Sequence, residues 1–299
     1  MASDVTNGER VQGASRVEDL RYTRYEGERR GRVACLVSFA RQGALHALGA
    51  GRGWRGKLIP FGLIFLAFTP ALIVLGVRAL FASRVNQDIS ELAPYSDYYT
   101  SVAIIILALA GIVTPELLCP DRRDRVLDLY YSTAVSPREY LVAKFGAALT
   151  PLLLTTLAPV LFLFVGNVLF AVHPLGYLED HWKDVPRIVA AGVVIASYFV
   201  LLGLAISSLT SRRAFAMGGV VALLVASSAT SAVLAGLGAS DNVLVVALPV
   251  IPVVLAQRMF PSVEGNPQEL STAGWLAAYL VVCGVSLLVL LLRYRRADG

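Results

Sequence analysis

Charge is scarce in this sequence. Asp, Glu, Lys and Arg make up 16% of its 299 residues, and they fall in an N-terminal segment and in short intervals between long uncharged runs. An ordinary globular chain carries about 25% charged residues, so those runs are not built for water. Cysteine is scarce too: Cys35, Cys119 and Cys283 show no metal-ligand or redox spacing, need no disulfide framework and read as reduced. The three histidines, His46, His173 and His181, lie outside the uncharged runs, and neither H-E-x-x-H nor G-x-S-x-G occurs. An intramembrane enzyme therefore lacks its nucleophile, base or metal ligands, and no catalytic or metal site is expected. Glu179, Asp180 and His181 read as a solvated loop. The formal charge of +5 does not point to nucleic acid, because the basic residues are spread thinly over many segments.

What is present in excess is hydrophobic surface, 56% of the chain with a mean hydropathy of +0.66. A helix crossing a hydrocarbon core about 30 Å thick needs roughly 20 apolar residues. Six uncharged stretches meet that need: 58–77, 98–115, 145–172, 188–211, 214–240 and 270–292. A seventh, 242–257, is shorter and carries Pro249 and Pro252, each without a backbone donor, so a re-entrant hairpin between spans five and six fits it better than a crossing. The expected fold is all-α, a polytopic membrane protein with six transmembrane helices filling 58–296.

Basic residues orient the spans. With the N-terminus inside, alternation places 21 of the 26 Lys and Arg on the cytoplasmic side and leaves Arg78, Arg84, Lys183, Arg187 and Arg258 outside. Both termini are expected in the cytoplasm and the hairpin outside. Arg far outnumbers Lys, in keeping with a GC-rich bacterial genome and a plasma (inner) membrane.

Residues 1–31 are polar and read as a flexible cytoplasmic tail. Residues 32–57 combine an amphipathic helix with a basic anchor. Val33, Leu36, Val37, Ala40, Ala44 and Leu48 recur at helical spacing opposite Ser38, Arg41, Gln42 and His46, as in a helix lying along the membrane interface. Gly51 to Lys57 matches G-x-x-x-x-G-K, but Leu58 stands where a phosphate loop needs Ser or Thr, and no strand precedes it. Arg52, Trp54, Arg55 and Lys57 read as an interface anchor instead.

Between spans two and three the chain reads Pro115-Glu116, then Asp121-Arg122-Arg123-Asp124-Arg125-Val126-Leu127, Tyr130-Tyr131, and Ser136-Pro137-Arg138-Glu139-Tyr140 leading to Lys144. Asp121 is placed to cap a short amphipathic helix, and Ser136 with Pro137 and Glu139 to form a capping box opening the third span. This segment, with six spans and an interfacial helix before them, resembles the type-2 permeases of ATP-binding-cassette (ABC) exporters. The resemblance implies a cytoplasmic coupling helix that docks on a separate ATPase, a role falling to Asp121, Arg122, Arg123, Asp124, Arg125, Val126, Leu127, Tyr130 and Tyr131. Pro115, Glu116, Ser136, Pro137 and Lys144 would then shape the coupling loop. The family's usual Pro near the end of this loop is Ala134 here. The resemblance also implies short extracellular re-entrant helices at 242–257, where Pro249 and Pro252 had already indicated a hairpin.

The energy source agrees. Ion-coupled carriers place acidic or His residues within their spans, and these six contain none. Glu116, Lys144 and Arg78 sit at span ends, where they are expected to snorkel. ATP and magnesium are therefore expected in a partner ATPase, with no cofactor in this chain and a second permease copy, identical or paralogous, completing the pathway in lipid. Asn167, Phe162, Phe164, Thr155, Ser207 and Ser208 suit either a pathway lining or helix packing. Gly218, Gly219, Ala226, Ser227, Ser228 and Ala229 suit a close helix seam. A membrane scaffold or assembly factor is the alternative function.

Overall fold

The computed structural model describes residues 31–51, 53–82, 95–126, 136–171, 173–238, 241–260 and 270–295. The tail at 1–30 and the loop residues Leu127, Tyr130, Tyr131 and Ala134 lie outside the described residues. What is described is helical throughout, with no strand among the described residues.

Among the described residues nine α-helices follow one another: α1 Arg32–Ala47, α2 Trp54–Ala82, α3 Tyr95–Arg123, α4 Pro137–Phe170, α5 Pro174–His181, α6 Asp184–Ser207, α7 Arg213–Gly236, α8 Val250–Gln257 and α9 Thr272–Arg295. Six of them, α2, α3, α4, α6, α7 and α9, are long and apolar enough to cross a bilayer, matching the six uncharged runs. Several helices overrun those runs. α2 starts at Trp54, inside the basic anchor, and α4 is 34 residues long, about 51 Å at 1.5 Å per residue.

The bundle has a centre and a rim. In α3 and α6 67% of the most apolar stretch is buried within the chain, against 17% in α7 and α9. Large apolar side chains such as Phe65, Val225 and Val281 are exposed on the rim, where only lipid or another chain can cover them. α3 and α6 approach closely at Gly203, where any Cβ would meet the Thr114 hydroxyl at 2.5 Å.

Prolines inside spans free carbonyls, and tyrosines answer them. Pro159 has no N–H for the Thr155 carbonyl, and the Tyr98 hydroxyl lies 3.5 Å from that oxygen while donating to Ala67 at 3.1 Å. Pro252 likewise cannot serve the Leu248 carbonyl, and the Tyr198 hydroxyl donates to it at 2.9 Å. Residues 241–257 form a 3₁₀ helix, Asp241–Val246, and α8, with Pro249 at the α8 N-cap. Ser231 donates to the Val243 carbonyl and Ser227 accepts from the Leu248 N–H, tying this pair to α7.

α1 packs along α4 and touches α3 with part of the stripe its pattern indicated, Leu36, Ala40, Ala44 and Leu48. Ala44 and Ala47 are buried and Phe39 and Leu36 half-buried, while Val33 and Val37 point away, 74% and 61% exposed. The helix has two apolar faces, and periodicity alone merged them. The glycine segment before α2 is no phosphate cradle: Gly49, at φ 87°, packs against the Gly56 carbonyl, and Gly56 and Lys57 lie inside α2.

Candidate functional site

The last turns of α3 gather contacts from four other helices. α3 continues through Pro115 and Pro120 to Arg123, so Asp121 does not cap a new helix; it belongs to the end of this one. The stop is a Schellman motif: the Val126 N–H bonds the Asp121 carbonyl at 3.1 Å, with Arg125 left-handed at φ 54°. The sequence signal for an N-cap failed because Asp121 is spent elsewhere. Its carboxylate takes the Lys144 ammonium at 2.7 Å and the Tyr140 hydroxyl at 2.8 Å.

That pair is held in an aromatic frame. Lys144 lies over the rings of Phe39 from α1 and Tyr140 from α4, at 5.3 and 5.4 Å, and Tyr140 meets Tyr294 of α9 with 5.7 Å between ring centres. Lys144 is only 7% exposed, so it does not snorkel; its charge is met inside the protein. Glu116 does not snorkel either. It is buried and ion-paired with Arg213 at the start of α7. Arg122 donates to the Ser208 carbonyl, and the Cys119 thiol lies 3.6 Å from the Thr210 carbonyl, so α3 serves the open C-terminal carbonyls of α6. Arg123 and Asp124, exposed and paired with each other at 2.9 Å, face outward.

α4 begins with the capping box that its sequence announces. The Ser136 hydroxyl accepts from the Glu139 N–H at 3.3 Å, the Glu139 carboxylate accepts from the Ser136 N–H at 2.8 Å, and Pro137 opens the helix. The described structure therefore joins Asp121 to Lys144 and ties Glu116 and Arg122 to α7 and the end of α6, while Pro115 lies earlier in α3 and Ser136 and Pro137 open α4. A cavity of about 410 Å³ is bordered by Gln42, His46, Glu116, Asp121 and Lys144.

The opposite end of α4 holds a second polar network. Arg78, placed by its sequence position among the snorkelling cations, is 7% exposed and donates to the Asn167 amide oxygen at 2.5 Å. Asn167 donates to the Tyr95 hydroxyl at 2.9 Å, and Tyr95 meets the Tyr177 hydroxyl at 3.1 Å. His181 stacks on Tyr177 with 4.1 Å between ring centres. Nothing local in the sequence links these residues, which lie 72 to 89 positions apart in the bonds involving Asn167 and Tyr95.

A groove with a cavity of about 780 Å³ runs between α3, α7 and α8, mostly apolar with Thr100, Ser228 and Gln257 as polar points. Gln257 donates to Thr100 across it at 2.8 Å. Thr155, Ser207 and Ser208, candidates for a lining, are instead fully buried, and their hydroxyls bond backbone carbonyls of their own helices. Among the described residues no three His, Cys, Asp or Glu side chains come together as a metal set.

The family model of ABC-2 family transporter proteins matches residues 83–293, most of the chain and five of the six spans. The chain belongs to the ABC-2 transporter family. The comparison with individually curated proteins gave no significant match. The protein is thus a multi-pass membrane component of an ABC-type transporter, a permease and not itself an enzyme. The matched region begins beyond α1 and α2, and includes the whole of the α3–α4 junction and both polar networks except Arg78, Phe39 and Tyr294.

Proposed function

We propose that this permease is one half of the membrane pathway of a bacterial ABC exporter in the plasma membrane, driven from the cytoplasm by a separate ATPase that binds ATP and magnesium. No cofactor resides in this chain, and a second copy or a paralogue supplies the other half. The observation that carries the reading is the convergence on the last turns of α3: ion pairs to α4 and α7 and a hydrogen bond to the end of α6 surround the two ends of one short linker. A push on residues 127–135 reaches α4 through Asp121 and Lys144 and reaches α6 and α7 through Arg122 and Glu116. This end is cytoplasmic in the orientation that puts 21 of 26 basic residues inside. In that orientation α1 lies along the inner interface and the 3₁₀–α8 pair is the extracellular re-entrant hairpin past which cargo leaves.

Replacing Arg123 and Tyr130 together with Ala reduces ATP hydrolysis of the purified complex while leaving membrane insertion intact. Unchanged hydrolysis removes the coupling role from this linker. Cysteines placed at Asp180 and Gly299 label from opposite faces; labelling of both from one face overturns the orientation.

A further inference from the structure

A furrow between α4, α6 and α9 takes no part in the machinery above. It has a cavity of about 580 Å³, at the end of the bundle where α4 starts and where α6 and α9 finish. Leu141, Leu204 and Leu290 form its floor, 9%, 1% and 3% exposed, and Val142, Leu288 and Leu292 are its outward-facing walls. Every lining side chain is apolar except one, Arg138, which is exposed.

Arg138 has no ion pair or hydrogen bond among the described residues. The neighbouring acid, Glu139, is engaged by the Ser136 backbone N–H at 2.8 Å. An aliphatic trough open to the side, ending at a guanidinium with no counter-charge among the described residues, has the polarity of an amphiphile with an anionic head. A second copy of the chain is a poorer complement. Its matching segments carry 21 basic residues against 11 acidic ones in the orientation above, and would bring like charge to Arg138.

We propose that this furrow binds an anionic glycerophospholipid, one acyl chain lying on the leucine floor and the phosphate on Arg138. Assignment to the cytoplasmic leaflet rests on the orientation proposed above; the binding itself does not. A lipid seated there packs against the first turns of α4, immediately after the linker, and thereby stiffens the helix that the linker drives.

The test is native mass spectrometry of the full-length protein in a neutral detergent, offered equal amounts of phosphatidylglycerol and phosphatidylcholine with the same acyl chains. The expected result is preferential retention of phosphatidylglycerol, lowered about five-fold by Arg138→Gln, the worth of one basic residue against an anionic headgroup. Arg138→Lys keeps most of the preference. Leu288→Trp fills the trough and lowers retention of both lipids, and excess inorganic phosphate displaces neither. Equal retention of the two lipids, or phosphatidylglycerol binding unchanged in Arg138→Gln, overturns the site, as does displacement by phosphate alone. A lipid-free dimer that Leu288→Trp dissociates assigns the furrow to a second copy instead. Detergent micelles have no sides, so failure here leaves the orientation standing, and a reversed orientation appears only in the cysteine labelling.

Discussion

At one end of α4, Lys144 meets the Asp121 carboxylate at 2.7 Å with side chains 9% and 15% exposed; at the other, Arg78 donates to the neutral amide of Asn167 at 2.5 Å, backed by the hydroxyls of Tyr95 and Tyr177. The two networks answer the same difficulty, a cation withdrawn from water, by different means. Opposite charge neutralises Lys144, and the pair holds only while both members are present. On the Arg78 side the described partners are dipoles, so that losing one of these neutral members costs one hydrogen bond. The ion-paired end joins α3 to α4 at the residues flanking 127–135.

The sharpest way to break this comparison is to remove one charge. Lys144→Met leaves the Asp121 carboxylate buried without its cation and lowers stability by about 3–5 kcal/mol, read as thermal unfolding in detergent. Adding Asp121→Asn to that variant restores most of the loss, and a double variant as unstable as the single one shows that packing, not charge, holds this end. Asn167→Leu at the opposite end costs less, about 1–3 kcal/mol, through unmet donors and acceptors on Arg78 and Tyr95. A loss equal to that of Lys144→Met abolishes the distinction between the two ends. Ser136→Ala removes the cap of α4 and costs about 1 kcal/mol, which tests whether the linker side is secured locally as well as by the ion pair. The smallest effect has the opposite sign. Arg125→Gly relieves a left-handed residue at the α3 stop and raises stability by less than about 1 kcal/mol, since the gain in sterics is partly offset by glycine's entropy in the unfolded chain. Lower stability in that variant shows that the Arg125 side chain has a contact of its own.

How legible each part was depended on the distance over which its signal acts. The capping box at Ser136 and Glu139 spans three residues and appears as expected. The interruption at Pro249 and Pro252 was equally local, and two short helices stand there in place of a crossing. Asp121 misled because Asp favours a helix start, whereas at a helix stop the dipole works against it. Only the continuation of α3 through Pro120, with Lys144 and Tyr140 waiting for the carboxylate, distinguishes them. Arg78 and Lys144 were assigned to snorkelling because side-chain length and position at a span end allow it. Their partners come from other helices, and pairing across a bundle leaves no periodic trace. The stripe on α1 holds only in part for a related reason: Val33 and Val37 are as apolar as Leu36 and Ala44, yet are exposed.

By itself the sequence determined how many helices are long enough to cross a bilayer, where their caps and breaks fall, and the bias of basic residues from which a sidedness can be argued, because hydrocarbon thickness, missing backbone donors and charge placement act on contiguous residues. Tertiary structure alone decided which spans form the centre, which carboxylate serves which cation, and that the end of the second span gathers the starts of the third and fifth and the end of the fourth. Those choices depend on the meeting of side chains dozens of positions apart, and their energy exists only once the helices have packed.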